Sequence, residues 1–295
     1  MSPASPIIVL DSGLGGLTVA RALRSVLPDE SLIYFGDTAR LPYGSKTAST
    51  VTRFVQQIIA YLTPHDAKHV VIACNTATAL ALPAIRAAFP NMSISGVIEP
   101  GSKAAVIAAG AKPVPTIAVL ATEATVRSKA YERAIHRRRN HARLLLRPAP
   151  LLVPIIEEGR KATDPLVRLA LQQYLAPLIR HQMDVLVLGC THYPIYKDLI
   201  QELAPGVRVI DSAQQCAEDV ACRLKASGML HRPAAAMQPS APRGSLRCFV
   251  TDDPARFQRL APRFLGVEIE EPTWVSPDDL YGIFPSPGVR LSVPA

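Results

Sequence analysis

Residues 69–76 read His-Val-Val-Ile-Ala-Cys-Asn-Thr, and residues 184–192 read Asp-Val-Leu-Val-Leu-Gly-Cys-Thr-His. Each is an apolar run that stops at a small residue and a cysteine followed by hydroxyl, amide or imidazole side chains. Each therefore predicts a buried strand with a thiol, Cys74 or Cys190, at its carboxyl end. In open parallel sheets ligands bind beyond the strand carboxyl ends, where the following helix aims its N–H groups and positive dipole. A cysteine there can have a lowered pKa. A single buried cysteine is often no more than a small hydrophobe, but a matched pair points to chemistry. Two thiols on opposite faces of an amino acid could remove the α-proton on one side and return a proton on the other, which is racemisation.

Other residues with chemical potential cluster at the ends of further apolar runs. Asp11-Ser12-Gly13-Leu14-Gly15-Gly16 follows the first run and precedes an amphipathic segment, the pattern of backbone amides approaching an anion at a helix start. It is not a dinucleotide fingerprint, because Thr18 stands where the third glycine belongs, and no Gly-Lys-Ser/Thr makes it a Walker loop. Asp11 also reads as a simple helix cap. The loop 36–45 adds Tyr43 and Gly44, and Asn75, Thr76, Thr191 and His192 add neutral donors beside the thiols. Such a set suits an amino-acid zwitterion better than a polyphosphate. Asp11 and His192 are placed to orient or deprotonate Cys74 and Cys190 respectively.

These groups need a scaffold, and the chain supplies one. Apolar runs recur at 7–10, 31–35, 69–73, 94–98, 116–120, 142–146, 184–188, 207–210 and 246–250, with helix-length segments such as 16–27, 49–62, 165–182, 213–227 and 254–265 between or after them. That alternation predicts an α/β protein of parallel βαβ units. The order around Cys74 repeats around Cys190, which predicts two similar halves whose thiols meet across one cleft. Segment 231–245, rich in Pro, Ala and Ser, reads as a linker, and 271–295 as an irregular tail.

Composition sets the remaining bounds. A chain of 295 residues with 48% hydrophobic residues has ample core for two domains. No charged segment precedes the first apolar run, so no signal peptide is predicted, and the longest uncharged run nearby is too broken to span a bilayer. Five cysteines without a CxxC pair indicate neither a disulfide framework nor a zinc site, which fits a reducing cytoplasm. The net charge of +8 invites a nucleic-acid reading. The excess is concentrated at 127–147, where Arg127, Lys129, Arg133, Arg137, Arg138, Arg139, Arg143 and Arg147 face a single acid, Glu132. Apolar residues at helical spacing through the start of this segment predict that the charges cover the solvated face of a helix and its exit rather than a nucleic-acid site.

The motifs Asp11-Ser-Gly-Leu-Gly-Gly-Leu-Thr-Val19, Gly36-Asp-Thr-Ala-Arg-Leu-Pro-Tyr-Gly44, Ala73-Cys-Asn-Thr-Ala-Thr78, Gly96-Val-Ile-Glu-Pro100, Ala121-Thr-Glu-Ala-Thr-Val126 and Gly189-Cys-Thr-His-Tyr-Pro194 together resemble those of glutamate racemases. Related aspartate racemases share the paired cysteines but lack the Asp-Ser-Gly-x-Gly-Gly opening. The resemblance implies two similar doubly wound parallel-sheet domains, 1–98 with 211–270 and 99–210, with the active site in the cleft between them. It implies a cofactor-independent enzyme in which Cys74 and Cys190 are the two catalytic bases, making D-glutamate for peptidoglycan. Asp11 and His192 match the assisting residues, and Glu157 matches a further acid, although Glu158 adjoins it. Substrate contacts carried over are Asp11, Ser12, Tyr43, Gly44, Asn75, Thr76, Thr191 and His192, with Thr122 a weaker candidate. The resemblance also implies a homodimer. Some glutamate racemases inhibit gyrase, but a basic run alone is weak support for a nucleic-acid or gyrase contact here. A pyridoxal-phosphate racemase is disfavoured, since no lysine stands at the end of an apolar strand.

Overall fold

The computed structural model describes residues 1–231 and 244–281. Among these residues ten strands form two parallel sheets: β1 (Ile7–Asp11), β2 (Leu32–Gly36), β3 (His69–Ile72), β4 (Ile94–Gly96), β9 (Leu246–Val250) and β10 (Thr273–Trp274) in the first, β5 (Thr116–Ala121), β6 (Arg143–Pro148), β7 (Val185–Gly189) and β8 (Arg208–Asp211) in the second. The first runs β10-β9-β2-β1-β3-β4 and the second β6-β5-β7-β8. Every expected apolar run is a strand. They read as unbroken apolar stretches because both faces are covered. Ile7 and Val9 enter one core cluster while Ile8 and Leu10 enter another, and Ala118 and Leu120 part from Ile117 and Val119 in the same way.

Strand order fixes where a ligand can sit. In the first sheet β2 lies on one side of β1 and β3 on the other; in the second, β6 and β7 flank β5 in the same arrangement. The chain thus reverses direction across the sheet between β1 and β3, and again between β5 and β7, opening a crevice at the carboxyl ends. Cys74 follows β3 and Cys190 follows β7, so both thiols stand at equivalent reversal points.

Three expectations need correction. The segments after the two cysteines differ: Asn75–Ala88 is a 14-residue helix, whereas Cys190 leads into the 3-10 turn Tyr193–Tyr196 and the seven-residue helix Lys197–Leu203. Pro194 lies in that turn. The basic segment begins in two short helices, Glu123–Arg127 and Ala130–His136, broken at Lys129, whose φ is 55°, and ends in β6, which carries Arg143 and Arg147. The tail is not irregular from 271: β10 pairs with β9, Val275 N–H donates to Val250 O at 2.8 Å, and Val275 and Leu280 are buried against the first sheet's outer helices. Burying those two side chains, at about 1.5–3 kcal/mol each, anchors it. Most of the expected linker, and 282–295, lie outside the described residues.

The basic side chains are largely engaged within the protein. Arg137 and Arg138 pair with Glu99, and Arg139 donates to the carbonyls of Gly110 and Lys112. Among the described residues, no helix is long and apolar enough to cross a membrane.

Candidate active site

A cavity of about 390 Å³ opens where the two sets of strand ends meet, and both Cys74 and Cys190 line it. Ser12, Tyr43, Gly44, Asn75, Thr76, Thr122, Glu157, Thr191 and His192 line it as well. The site is held together across the halves by direct bonds. Thr76 Oγ1 lies 2.9 Å from Thr122 Oγ1, Asn75 Nδ2 donates to Tyr131 Oη at 2.8 Å, and Thr18 Oγ1 donates to the Thr191 carbonyl at 3.1 Å. Gly15 permits this closeness. A methyl there would overlap Thr191 Oγ1 and the His192 ring, lying 2.6 Å from Cε1.

Cys74 caps the helix Asn75–Ala88, its sulfur accepting from Ala77 N–H at 3.5 Å and lying 3.7 Å from Ser12 Oγ. The lowering that a helix N-terminus can bring does not prevail at this position. Burial, reinforced by the Asp11 charge, pushes the Cys74 thiol up to about 12 despite the cap and Ser12. Asp11 lies beneath the cavity rather than on its lining. It is 1% exposed, Oδ2 accepts from Gly13 N–H at 3.0 Å, and Oδ1 has no partner. Burial raises its pKa above the usual carboxylate value, against the pull of His192 and the loop amides.

Cys190 has different company. His192 Nδ1 lies 3.9 Å from its sulfur, and His192 Nε2 lies 3.0 Å from Glu157 Oε1. Burial disfavours the imidazolium, but the bonds to Cys190 and Glu157 outweigh it and raise the His192 pKa to about 10. Burial likewise works against the Glu157 carboxylate, and the hydrogen bond from His192 reverses it, holding that group below its ordinary value. A protonated imidazole can donate to both neighbours at once, so His192 links Cys190 and Glu157 in one row. The ambiguity between neighbouring acids resolves geometrically: Glu157 meets His192, whereas Glu158 pairs with the exposed Arg160.

Tyr43 lines the cavity, but its hydroxyl is turned away and bonds to the buried Asp37, which also takes Arg40 Nε at 2.8 Å and Thr251 Oγ1 at 3.1 Å. That carboxylate holds the loop 37–45 in place, leaving the backbone around Gly44 to face the cavity. Sequence reasoning did not flag the lining residues Pro42, Ser45, Glu123, Pro150, Val153, Pro154 and Arg256. The loop residues fell within quoted motifs, but Arg256 is one of several arginines on an ordinary amphipathic helix and carries no local signal. Among the described residues no group of three or more His, Cys, Asp or Glu is arranged to hold a metal ion.

Two parallel sheets presenting one cysteine each to a shared cavity define an amino-acid racemase architecture, and the chain belongs to the Asp/Glu/hydantoin racemase family, whose model matches residues 17–220. Within that family it is similar to glutamate racemases. The Neisseria meningitidis glutamate racemase is 44% identical over 271 residues, 92% of this chain and 96% of the relative. The crystal structure of the Francisella tularensis glutamate racemase in complex with D-glutamate superposes with a TM-score of 0.83 at 33% identity, covering 93% of this chain and 98% of that one. The Thermus thermophilus glutamate racemase in complex with β-chloro-D-alanine gives 0.82 at 39% identity, covering 95% and 100%.

Proposed function

We propose that the protein interconverts L- and D-glutamate by a cofactor-independent two-base mechanism. The Cys190 thiolate takes the α-proton of L-glutamate, the carbanion flattens into conjugation with its carboxylate, and the Cys74 thiol gives a proton to the opposite face. The reverse sequence converts D-glutamate. The observation that carries this reading is the opening of both thiols into one cavity from equivalent positions on two sheets. A volume of about 390 Å³ suits a small ligand, and the N-terminus of the helix Asn75–Ala88 with its neutral neighbours suits a carboxylate. Asp11 and Ser12 attend Cys74; His192 and Glu157 attend Cys190. Ser12, Gly44, Asn75, Thr76 and Thr191 contact substrate, and Tyr43 shapes the loop that does. The corresponding domain assignment is 1–98 with 211–281, since the segment after 270 joins the first sheet, against 99–210, and the product supplies peptidoglycan synthesis in the cytoplasm.

The direct test is to incubate purified protein with L-glutamate and no added cofactor, following circular dichroism and, in deuterated water, loss of the α-proton signal. Decay of the signal to zero with one solvent deuteron incorporated per turnover is expected. An unchanged glutamate signal alongside racemisation of aspartate would reassign the substrate.

A further inference from the structure

The residues that attend Cys190 are not held by their own half alone. Glu157 ends the six-residue helix Leu152–Glu157, too short to be stable by itself, and its terminal carbonyls lack intrahelical donors. The following turn supplies one donor, Gly159 N–H to Ile156 O at 3.0 Å, and further donors come from the helix Pro254–Leu265, which follows β9 and therefore belongs to the other sheet. Arg263 Nη1 donates to Ile156 O at 2.9 Å, and Arg263 Nη2 donates to Arg160 O, which also accepts from Tyr196 Oη at 2.8 Å. The next residue, Phe264, is 1% exposed and packs T-shaped on His192, with ring centroids 5.5 Å apart. One helix thus touches both the carbonyl just before Glu157 and the imidazole that Glu157 must meet.

We propose that Arg263 is a positioning residue for the Glu157–His192 pair: its guanidinium reaches from the opposite half to fix the end of the helix that carries Glu157, while Phe264 beside it fixes the imidazole. A cation at a helix carboxyl end satisfies free carbonyls and opposes the negative end of the dipole. The consequence is selective. Arg263 serves proton transfer at Cys190 and not at Cys74, whose partners Ser12, Asp11 and Ala77 it does not touch. This inference rests on the two-base reading.

Racemisation cannot expose such selectivity, because an equilibrium constant of one forces kcat/KM to be equal in both directions. Elimination can. From a glutamate analogue with chloride on the β-carbon, a thiolate removes the α-proton, the pair forms the Cα–Cβ double bond and chloride departs. Water then hydrolyses the enamine, through its imine, to a 2-oxo acid and ammonium, so each enantiomer reports on one base.

The experiment measures this elimination from both enantiomers with the wild type and with Cys74→Ser, Cys190→Ser, Arg263→Gln and Arg263→Lys. The cysteine variants identify the enantiomer that depends on Cys190. For that enantiomer Arg263→Gln is expected to lower kcat by about 10- to 100-fold, the scale of a small misplacement of a reacting group, and to leave the other enantiomer little changed. Its alkaline limb should also move to lower pH, because a loosened Glu157 no longer supports the imidazolium. Arg263→Lys, with one ammonium for two carbonyls, should fall between. Equal losses on both enantiomers, or none, overturn the proposal; should Arg263→Gln fail to fold, the Lys variant decides by the same criterion. If the two cysteine variants show no enantiomer preference, the two-base reading fails instead.

Discussion

The two strand-end cysteines occupy the same place in the topology and almost opposite places in the electrostatics. Cys74 sits against a long helix's N-terminus, yet burial and the Asp11 carboxylate keep it a thiol, pushed up to about 12. Cys190 has only a 3-10 turn after it, but an imidazole stands beside it with a carboxylate behind. Equivalent position therefore does not give the two strand-end thiols equivalent neighbours; different charged groups are packed behind each. The difference suits the reaction, since each turnover needs one group able to take a proton while the other holds one to give.

Replacing either sulfur breaks the comparison outright. Cys74→Ser and Cys190→Ser should each reduce racemisation on the order of 10³-fold or more, since a hydroxyl is a far poorer proton acceptor than a thiol at any accessible pH. On the proposed mechanism Cys74 takes the α-proton of D-glutamate and Cys190 that of L-glutamate. Elimination from the β-chloro analogue should accordingly fail more severely for the D isomer in Cys74→Ser and for the L isomer in Cys190→Ser. Full racemase activity in either variant would contradict the mechanism.

The imidazole support is the next point at which the two sides can be separated. Glu157→Gln should cut Cys190-dependent elimination about 100-fold, while Glu158→Gln, which loses only an exposed pair with Arg160, should leave it near wild type. Folding raises the His192 pKa from 6.5 to about 10. The stability contributed by this cluster is therefore complete below about 6.5 and is lost as pH rises through 10. The gap in melting temperature between wild type and Glu157→Gln should accordingly be widest just below pH 6.5, shrink through neutrality and close above pH 10.

Gly15→Ala tests whether the first half's loop can damage the second half's chemistry. Its methyl would press on Thr191 and His192, so kcat/KM should fall by about 10- to 100-fold, with a loss of about 1–3 kcal/mol in stability from overpacking. Denaturant melts alongside kinetics would show both. The smallest effect is expected far from the cleft. Changing Arg137, Arg138 and Arg139 together to Gln removes exposed pairs with Glu99, worth about 0–1 kcal/mol each, and should leave racemisation unchanged. A large loss of activity in that folded variant would tie the basic segment to the site.

Much of this was legible in the chain because it depends on local pattern. Nine strands announced themselves as apolar runs closed by polar residues, and both cysteines were readable as strand-end groups. β10 was not, since two residues cannot display a period, and its anchorage comes from Val275 and Leu280 finding a distant core. The break at Lys129 was hidden because a left-handed residue there is neither Gly nor Asn. The overestimated likeness of the two halves came from reading each cysteine with the strand before it and not with the turn or helix after it. Choosing Glu157 over Glu158 required knowing which acid turns toward His192. Arg263 was out of reach for a related reason: its partners are more than a hundred residues away in sequence.

The bond from Asn75 Nδ2 to Tyr131 Oη continues to Ser212 Oγ at 3.1 Å and on to Leu188 O at 3.3 Å, every member buried. This chain stitches the back of the cleft from one sheet to the other. Prising the halves apart there would strand several buried polar groups, at a cost of about 1–3 kcal/mol for each one left unpaired. Traffic is thereby directed to the opposite rim, where Pro42, Ser45, Glu123, Pro154, Glu158 and Arg256 border the cavity and are all less tightly enclosed. The doorway is set by which wall is bolted, and residence time should respond to changes in the rim while remaining indifferent to the outer faces of either sheet.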